Sequence, residues 1–250
     1  MDYPNHVIKQ GETNKSIVKA IQEELNKKGC GPVDVDGGYG AQTIKAVKLF
    51  QSTRTDLNGN PLEIDGKIGS ITWAALFGQS TVTVISNTDN VLLKEVVKVA
   101  ASQKNVMEKP LGSNSGPEVN KYLASVGLPP GLFWCMAFVH WCFENAAISL
   151  ARNNPAVKTG GCIDHWNRTK GKRILSADAV NKTTLVKPGQ IFIISHGGGA
   201  GHTGIVEKVE GGFIHTIEGN SNPSGSRNGI GVFSLQRKIG KINRGFIEYK

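Results

Sequence analysis

The chain has little of what would mark a membrane protein, a disulfide scaffold or a metal cage. Nowhere do the roughly 18 consecutive apolar residues of a membrane-spanning helix occur. Met1 to Thr13 intersperses Asp2, His6, Lys9 and Glu12 without an apolar run, so no secretory signal is expected. Cysteine is scarce. Cys30, Cys135, Cys142 and Cys162 are the only four in 250 residues and form no CxxC pair, which excludes a disulfide framework. No HExxH or paired-cysteine zinc pattern is present. Acidic residues are short as well: 20 Asp and Glu against 29 Lys and Arg, a net charge of +9.

The first 80 residues carry nine basic and nine acidic side chains, so the whole excess lies beyond them. Such a field favours an anionic partner: nucleic acid, a lipid surface or a bacterial envelope polymer. A merely soluble basic surface is the plainer alternative. Hydrophobic residues make up 39% and charged residues 20%, which supports a packed core rather than disorder. The length fits two domains.

The N-terminal part contains an internal repeat. Asp36-Gly37-Gly38-Tyr39-Gly40-Ala41-Gln42-Thr43 matches Asp65-Gly66-Lys67-Ile68-Gly69-Ser70-Ile71-Thr72, 29 residues later. The glycines supply tight-turn positions, and the apolar residue between them can plug the turn into a core. Thr43, Ala46, Val47 and Phe50 share a helical face after the first turn. Trp73, Ala74, Leu76 and Phe77 follow the second. Ile17, Val18, Ile21 and Leu25 form a stripe before the first, stopped by Gly29. Three short helices joined by two matching turns are expected.

The stretch from about Lys15 to Gly78 resembles the peptidoglycan-binding domain found beside many cell-wall hydrolases. The resemblance rests on the doubled turn, on Ala-Val-Lys-Leu-Phe-Gln after the first, and on Thr-Trp-Ala-Ala-Leu-Phe-Gly after the second. Calcium is the competing reading of the acidic turns. Asp34-x-Asp36-x-Gly38 opens like an EF-hand loop, but its twelfth position is Lys45. Asp56-x-Asn58-x-Asn60 has Pro61 at its sixth position and Lys67 at its twelfth. Turns held by Asp and Asn side chains are expected instead.

Residues 81–91 read as a Ser/Thr/Asn-rich linker between a domain at 1–80 and a second at 92–250. In the second, Leu92, Val96, Val97, Val99 and Ala100 mark one helix, and Val119, Tyr122 and Leu123 another. Phe133 to Ala147 marks a buried helix, apolar nearly all round. From Lys187 the pattern turns to strands: Ile191–Ile194, Thr203–Val209, Phe213–Ile217, Val232–Leu235 and Phe246–Tyr249. Helices followed by an antiparallel sheet make the fold α+β: a small all-α unit, then an α+β unit.

Cys135 follows the Pro129-Pro130-Gly131 break and is expected near a helix start. There unpaired amides and the helix dipole stabilise a thiolate and can receive an oxyanion. Cys142, seven residues on, shares its face but lies deep in the helix, where a cysteine acts as a small hydrophobe. A cysteine nucleophile needs a base, and there are six histidines. His6 lies in the N-terminal segment, His140 points off the Cys135 face, and His165 falls in a stretch that reads as irregular. His196 lies in the glycine run, and His215 in a strand.

Strands Thr203–Val209 and Phe213–Ile217, joined by Glu210-Gly211-Gly212, pair Val209 with Phe213. In that register His202 faces Asn220, with Glu218 its diagonal neighbour on the same face, while His215 points to the other. His202 therefore gains the orienting acceptor that a base requires. The run Gly197-Gly198-Gly199-Ala200-Gly201 lacks the Lys-Ser/Thr ending of a phosphate loop and joins two strands. Arg168, Lys170, Lys172 and Arg173 have one neighbouring aromatic, Trp166, and read as a solvated basic loop rather than a nucleic-acid surface.

Residues from about Leu92 to Tyr249 are similar to the CHAP domain, a cysteine, histidine-dependent amidohydrolase/peptidase family with a papain-like core. The matching segments are Gly112 to Pro117, Phe133 to Val139, Gly201 to Glu207 and Thr216 to Asn220. The resemblance implies Cys135 as nucleophile, His202 as base, Glu218 as orienting acid and Asn220 as a supporting polar group. Together the two resemblances imply a modular peptidoglycan hydrolase of the endolysin kind. It would cleave an amide as an N-acetylmuramoyl-L-alanine amidase or a stem-peptide endopeptidase, with no metal or organic cofactor. It is expected to be a monomer that is made in the cytoplasm and acts on the bacterial wall or periplasm. Peptidoglycan is its partner, envelope contact runs through the basic domain, and no nucleic acid is involved. The alternatives are an exported antibacterial toxin with the same activity and a non-catalytic wall-binding protein.

Overall fold

The computed structural model describes residues 1–223 and 229–250. The chain forms two compact units: Met1–Val84 with Val180–Thr183, and Ile85–Ala179 with Thr184–Lys250. The two-residue strand β1 (Val84–Ile85) stands at their junction in sequence. Among the described residues no helix is long and apolar enough to cross a membrane.

The first unit contains α1 (Lys15–Lys27), α2 (Ala41–Thr53) and α3 (Ser70–Phe77). The Asn14 side chain accepts from the amide of Ile17 and caps α1. Val18, Ile21, Leu25, Val47, Phe50, Trp73 and Leu76 close one core, and the turn residues Tyr39 and Ile68 plug into it as expected. Gly37 and Gly66 take positive φ, 80° and 74°, in the two turns.

The repeat extends further than its turns. Gln22 of α1 donates through Nε2 to Asp36 Oδ1 at 2.8 Å, the Gly38 carbonyl at 3.1 Å and Thr43 Oγ1 at 3.1 Å. Its Oε1 accepts from the Gly37 amide at 2.9 Å. Gln51 of α2 repeats this set on Asp65 Oδ1, the Lys67 carbonyl, Thr72 Oγ1 and the Gly66 amide. Each turn is thus held by a buried glutamine of the preceding helix.

The acidic turns are built as Asx turns. Asp36 Oδ1 accepts from the Gly38 amide at 2.7 Å, and Asp56 Oδ1 accepts from the amides of Asn58 and Asn60.

The second unit contains α4 (Val91–Ser102), α5 (Pro117–Ser125), α6 (Cys135–Ser149) and α7 (Cys162–Arg168). Its strands are β2 (Lys172–Leu175), β3 (Ile191–Gly197), β4 (Ala200–Glu210), β5 (Phe213–Ser221), β6 (Gly231–Lys238) and β7 (Gly245–Glu248). These six run in the order β2-β7-β3-β4-β5-β6, with every neighbouring pair antiparallel.

The sheet is buried on both faces. Ile191, Ile193, Ile205, Ile217 and Ile247 join the core of α4, α5 and α6. The alternate residues Phe192, Val206, Ile214 and Phe246 close a second core with Ile174, Val186 and Ile242.

Three local expectations are corrected. The stretch around His165 is the helix α7. Residues Lys172 and Arg173 of the supposed basic loop belong to the edge strand β2, where Arg173 Nε donates to the Trp166 carbonyl at 2.8 Å and its guanidinium lies over the Trp166 ring.

The third correction concerns the β4–β5 hairpin, which turns on Gly211-Gly212 alone and pairs Glu210 with Phe213. A bulge between Val206 and Lys208 then shifts the register by one, so Val206 pairs with Thr216 and Ile205 with Ile217. The expected pairing is therefore wrong at the tip and right at Val206–Thr216 and Ile205–Ile217.

Candidate active site

The α6 helix starts at Cys135, because the turn at Pro130–Gly131 ends the preceding chain and the next residues are uniformly apolar. Trp134 precedes it with no side-chain cap on the first turn. The Trp134 ring is buried, and its Nε1 donates to Glu108 Oε1 at 2.9 Å. Glu108 Oε2 accepts from the Asn114 amide at 3.1 Å, which ties the 108–114 loop to the helix start. Gly219 lets β5 approach α6 closely: a Cβ there would lie 2.6 Å from Phe138 Cβ.

His202 of β4 and Glu218 of β5 share the face that carries Val206 and Ile214. His202 Nε2 lies 2.7 Å from Glu218 Oε2. The same carboxylate takes a two-pronged grip from Arg237 of β6, Nε to Oε1 and Nη2 to Oε2, both at 2.6 Å. Thr216 Oγ1 donates to Oε1, and the Arg237 guanidinium lies over the Phe192 ring. Glu218 is fully buried, so this set of donors replaces the water that a carboxylate would otherwise need.

With Nε2 engaged by Glu218, the second ring nitrogen of His202, Nδ1, has no hydrogen-bond partner among the described residues. Its charge partner is Cys135: each group displaces the other's protonation.

The electrostatics favour a thiolate beside an imidazolium. A hydrogen bond from Cys162 holds the Cys135 thiol well below its usual range. His202 and the Met136 amide pull the same way, and burial opposes them. Burial pulls His202 down, but Cys135 and Glu218 outweigh it and raise the ring to about 9. Burial pushes Glu218 up, and Arg237 and His202 hold it below the ordinary carboxylate range. Cys142 stands as the internal contrast: fully buried in the same helix, its thiol is pushed well up by burial alone.

Cys135 opens onto a cleft of about 340 Å³ walled in part by Phe133, Cys162, Gly201 and Asn220, with no charged side chain among the described residues of its lining. Asn220 takes a left-handed conformation, φ 52°, and accepts at Oδ1 from the Gly229 amide at 3.2 Å. Its buried Nδ2 has no partner among the described residues and is free to donate into the cleft. Cys135 and Asn220 thus line one cavity, while His202 and Glu218 are buried as a hydrogen-bonded pair outside its lining. The set can deprotonate a thiol, hold the resulting imidazolium and donate to an oxygen beside the sulfur.

The other histidines are placed elsewhere. His140 is buried against Ser125 Oγ and Asn154 Nδ2, and His165 against the Tyr249 hydroxyl; burial depresses both to about 4. His215 pairs with Glu210 near the hairpin tip. Arg237 and Cys162 are members of the site that the pattern of residues did not single out. Arg237 lies two residues past the strand expected to end at Leu235. Cys162 is 27 residues from Cys135, with nothing at that spacing to join them.

Comparison with known families gives two matches. Residues 14–76 match the model of a peptidoglycan binding domain, and residues 127–220 match that of the CHAP domain. No curated protein and no solved structure gives a significant match. The chain carries a peptidoglycan-binding domain followed by a CHAP domain, the layout of a modular peptidoglycan hydrolase.

Proposed function

We propose that the second unit hydrolyses an amide bond of peptidoglycan through Cys135 as nucleophile, while the first holds the chain on the wall. His202 Nδ1 takes the proton of Cys135, and the thiolate attacks the amide carbonyl. The Met136 amide at the start of α6 and Asn220 Nδ2 donate to the oxyanion that forms. His202, held by Glu218, protonates the leaving amine. Water then releases the acyl group from sulfur. Anchoring raises the local substrate concentration through tethering.

The reading is supported by one geometric fact: Glu218 holds His202 Nε2, and the buried Nδ1 has no other hydrogen-bond partner among the described residues. Cys135→Ala is expected to abolish clearing of a wall suspension while leaving wall binding intact. Unchanged clearing would sink the enzymatic reading and leave a wall-adhering module.

The bond cut is either the link between muramic acid and L-alanine or one within the stem peptide. A cleft whose described lining is glycine-rich and without charge suits a peptide with small side chains and does not separate the two. Mass analysis of digested wall does: free sugar chains with intact stems identify an amidase, and shortened stems still on sugar identify an endopeptidase.

A further inference from the structure

We propose that Cys135 and Cys162 form a reversible oxidation site, in which a hydroperoxide converts the two facing thiols into a disulfide that closes the cleft. Their sulfurs lie 3.6 Å apart, unbonded, in the wall of the same cavity. Each opens a helix, Cys135 in α6 and Cys162 in α7. A disulfide needs an S–S distance of about 2.05 Å, so about 1.6 Å of approach suffices.

The proximity is built into the backbone. A Cβ on Gly201 would stand 3.1 Å from Cys162 Cβ and 2.6 Å from the Ile194 carbonyl. Only a glycine in β4 lets α7 close down and bring its first residue over Cys135. The other two cysteines are placed differently: Cys142 is fully buried in α6, and Cys30 lies in the first unit near the Lys28 carbonyl.

The protonation states fit the chemistry. The Cys162 thiol is pushed up, first by its hydrogen bond to Cys135 and then by burial, while Cys135 is held down. One sulfur is thus favoured as thiolate and the other as thiol. The Cys135 thiolate attacks a peroxide oxygen, the O–O bond breaks, and Cys135 becomes a sulfenic acid as hydroxide leaves. The Cys162 sulfur then displaces the hydroxyl, the S–S bond forms, and water leaves with the Cys162 proton. The sulfurs are oxidised, and hydrogen peroxide is reduced to one water and one hydroxide, which becomes a second water by taking a proton from solvent. A dithiol reverses the change. Loss of hydrolysis on oxidation depends on the nucleophilic role proposed above; the disulfide itself does not.

The test treats the full chain with a small excess of hydrogen peroxide and reads intact mass and a non-reducing tryptic map. The expected product is lighter by two hydrogens. Its cross-link joins the peptide of Cys162 to that of Cys135, with fragment ions placing the bond at Cys135 rather than Cys142. Wall clearing is lost in step and returns with dithiothreitol. In Cys162→Ser, Cys135 should gain oxygens to sulfinic and sulfonic acid, and the lost fraction of that variant's own starting activity should not return. Oxygen added to wild-type Cys135 without a cross-link, or a cross-link between other cysteines, overturns the proposal. If the cross-link forms but Cys135→Ala still clears walls, the oxidation site stands and the nucleophile assignment falls.

Discussion

Gly204 faces Glu218 so closely that one carbon added to its Cα would stand 2.7 Å from Glu218 Cγ and 2.8 Å from the Ile217 carbonyl. The absent side chain on β4 is the space that the carboxylate of β5 occupies while it reaches His202. Gly204→Ala should push Glu218 off the imidazole and cost about 1–3 kcal/mol of stability through overpacking. Clearing activity should fall further than the loss of folded protein accounts for. Activity per folded molecule equal to wild type would refute the link.

The proposed mechanism needs Cys135 ionised and His202 protonated together. Cys135 is held below the usual thiol range and His202 is raised to about 9. The rate should therefore be flat through neutral pH, fall in acid as the thiolate takes a proton, and fall in base near 9 as the imidazolium loses its own. Glu218→Gln removes a charge that raises His202, so its basic limb should move to lower pH. A clearing-rate profile of both proteins checks the direction, and an unmoved basic limb contradicts the assignment.

Arg237 supplies two of the hydrogen bonds that satisfy the buried Glu218, and its own side chain is 18% exposed. Arg237→Met strands that carboxylate and should cost about 3 kcal/mol in urea denaturation. Arg237→Lys keeps the charge but loses the planar fork, so it should fall between. Equal stability of all three proteins would show that His202 and Thr216 alone suffice for Glu218.

Gln22 and Gln51 each satisfy a turn amide and a turn carbonyl inside the first unit. Gln22→Ala or Gln51→Ala should cost about 1–3 kcal/mol, because buried polar groups lose their partner. The Tyr39 hydroxyl donates to the Gly66 carbonyl at 3.2 Å and so joins the two turns. The double variant should therefore depart from the sum of the singles. Urea midpoints of the full chain and pull-down on insoluble peptidoglycan give the readout, and neutral single variants would refute the locking role.

Much of this was legible in the residues, because local patterns have local causes. Paired D-G-x-x-G turns demand glycine wherever φ is positive, so the repeat announced three helices. Pro129-Pro130-Gly131 ahead of an apolar run announced a helix start at Cys135. The His202–Glu218 pairing was legible for a less secure reason. A three-residue turn was expected where Gly211-Gly212 makes a two-residue one, and the bulge between Val206 and Lys208 restored the pairing. A bulge has no composition of its own, because it answers to the packing of the sheet rather than to the strand that carries it.

The sequence alone determined the kinds of element, the modular order and the chemistry available at Cys135 and His202, since periodicity, turn stereochemistry and side-chain type act over a few residues. Tertiary structure alone decided that Arg237 grips Glu218, that Gln22 and Gln51 lock the turns, and that Cys162 sits 3.6 Å from Cys135. Those partners meet through strand register, glycine clearances and helix approach, which sum constraints from the whole unit and leave no mark at any fixed spacing along the chain.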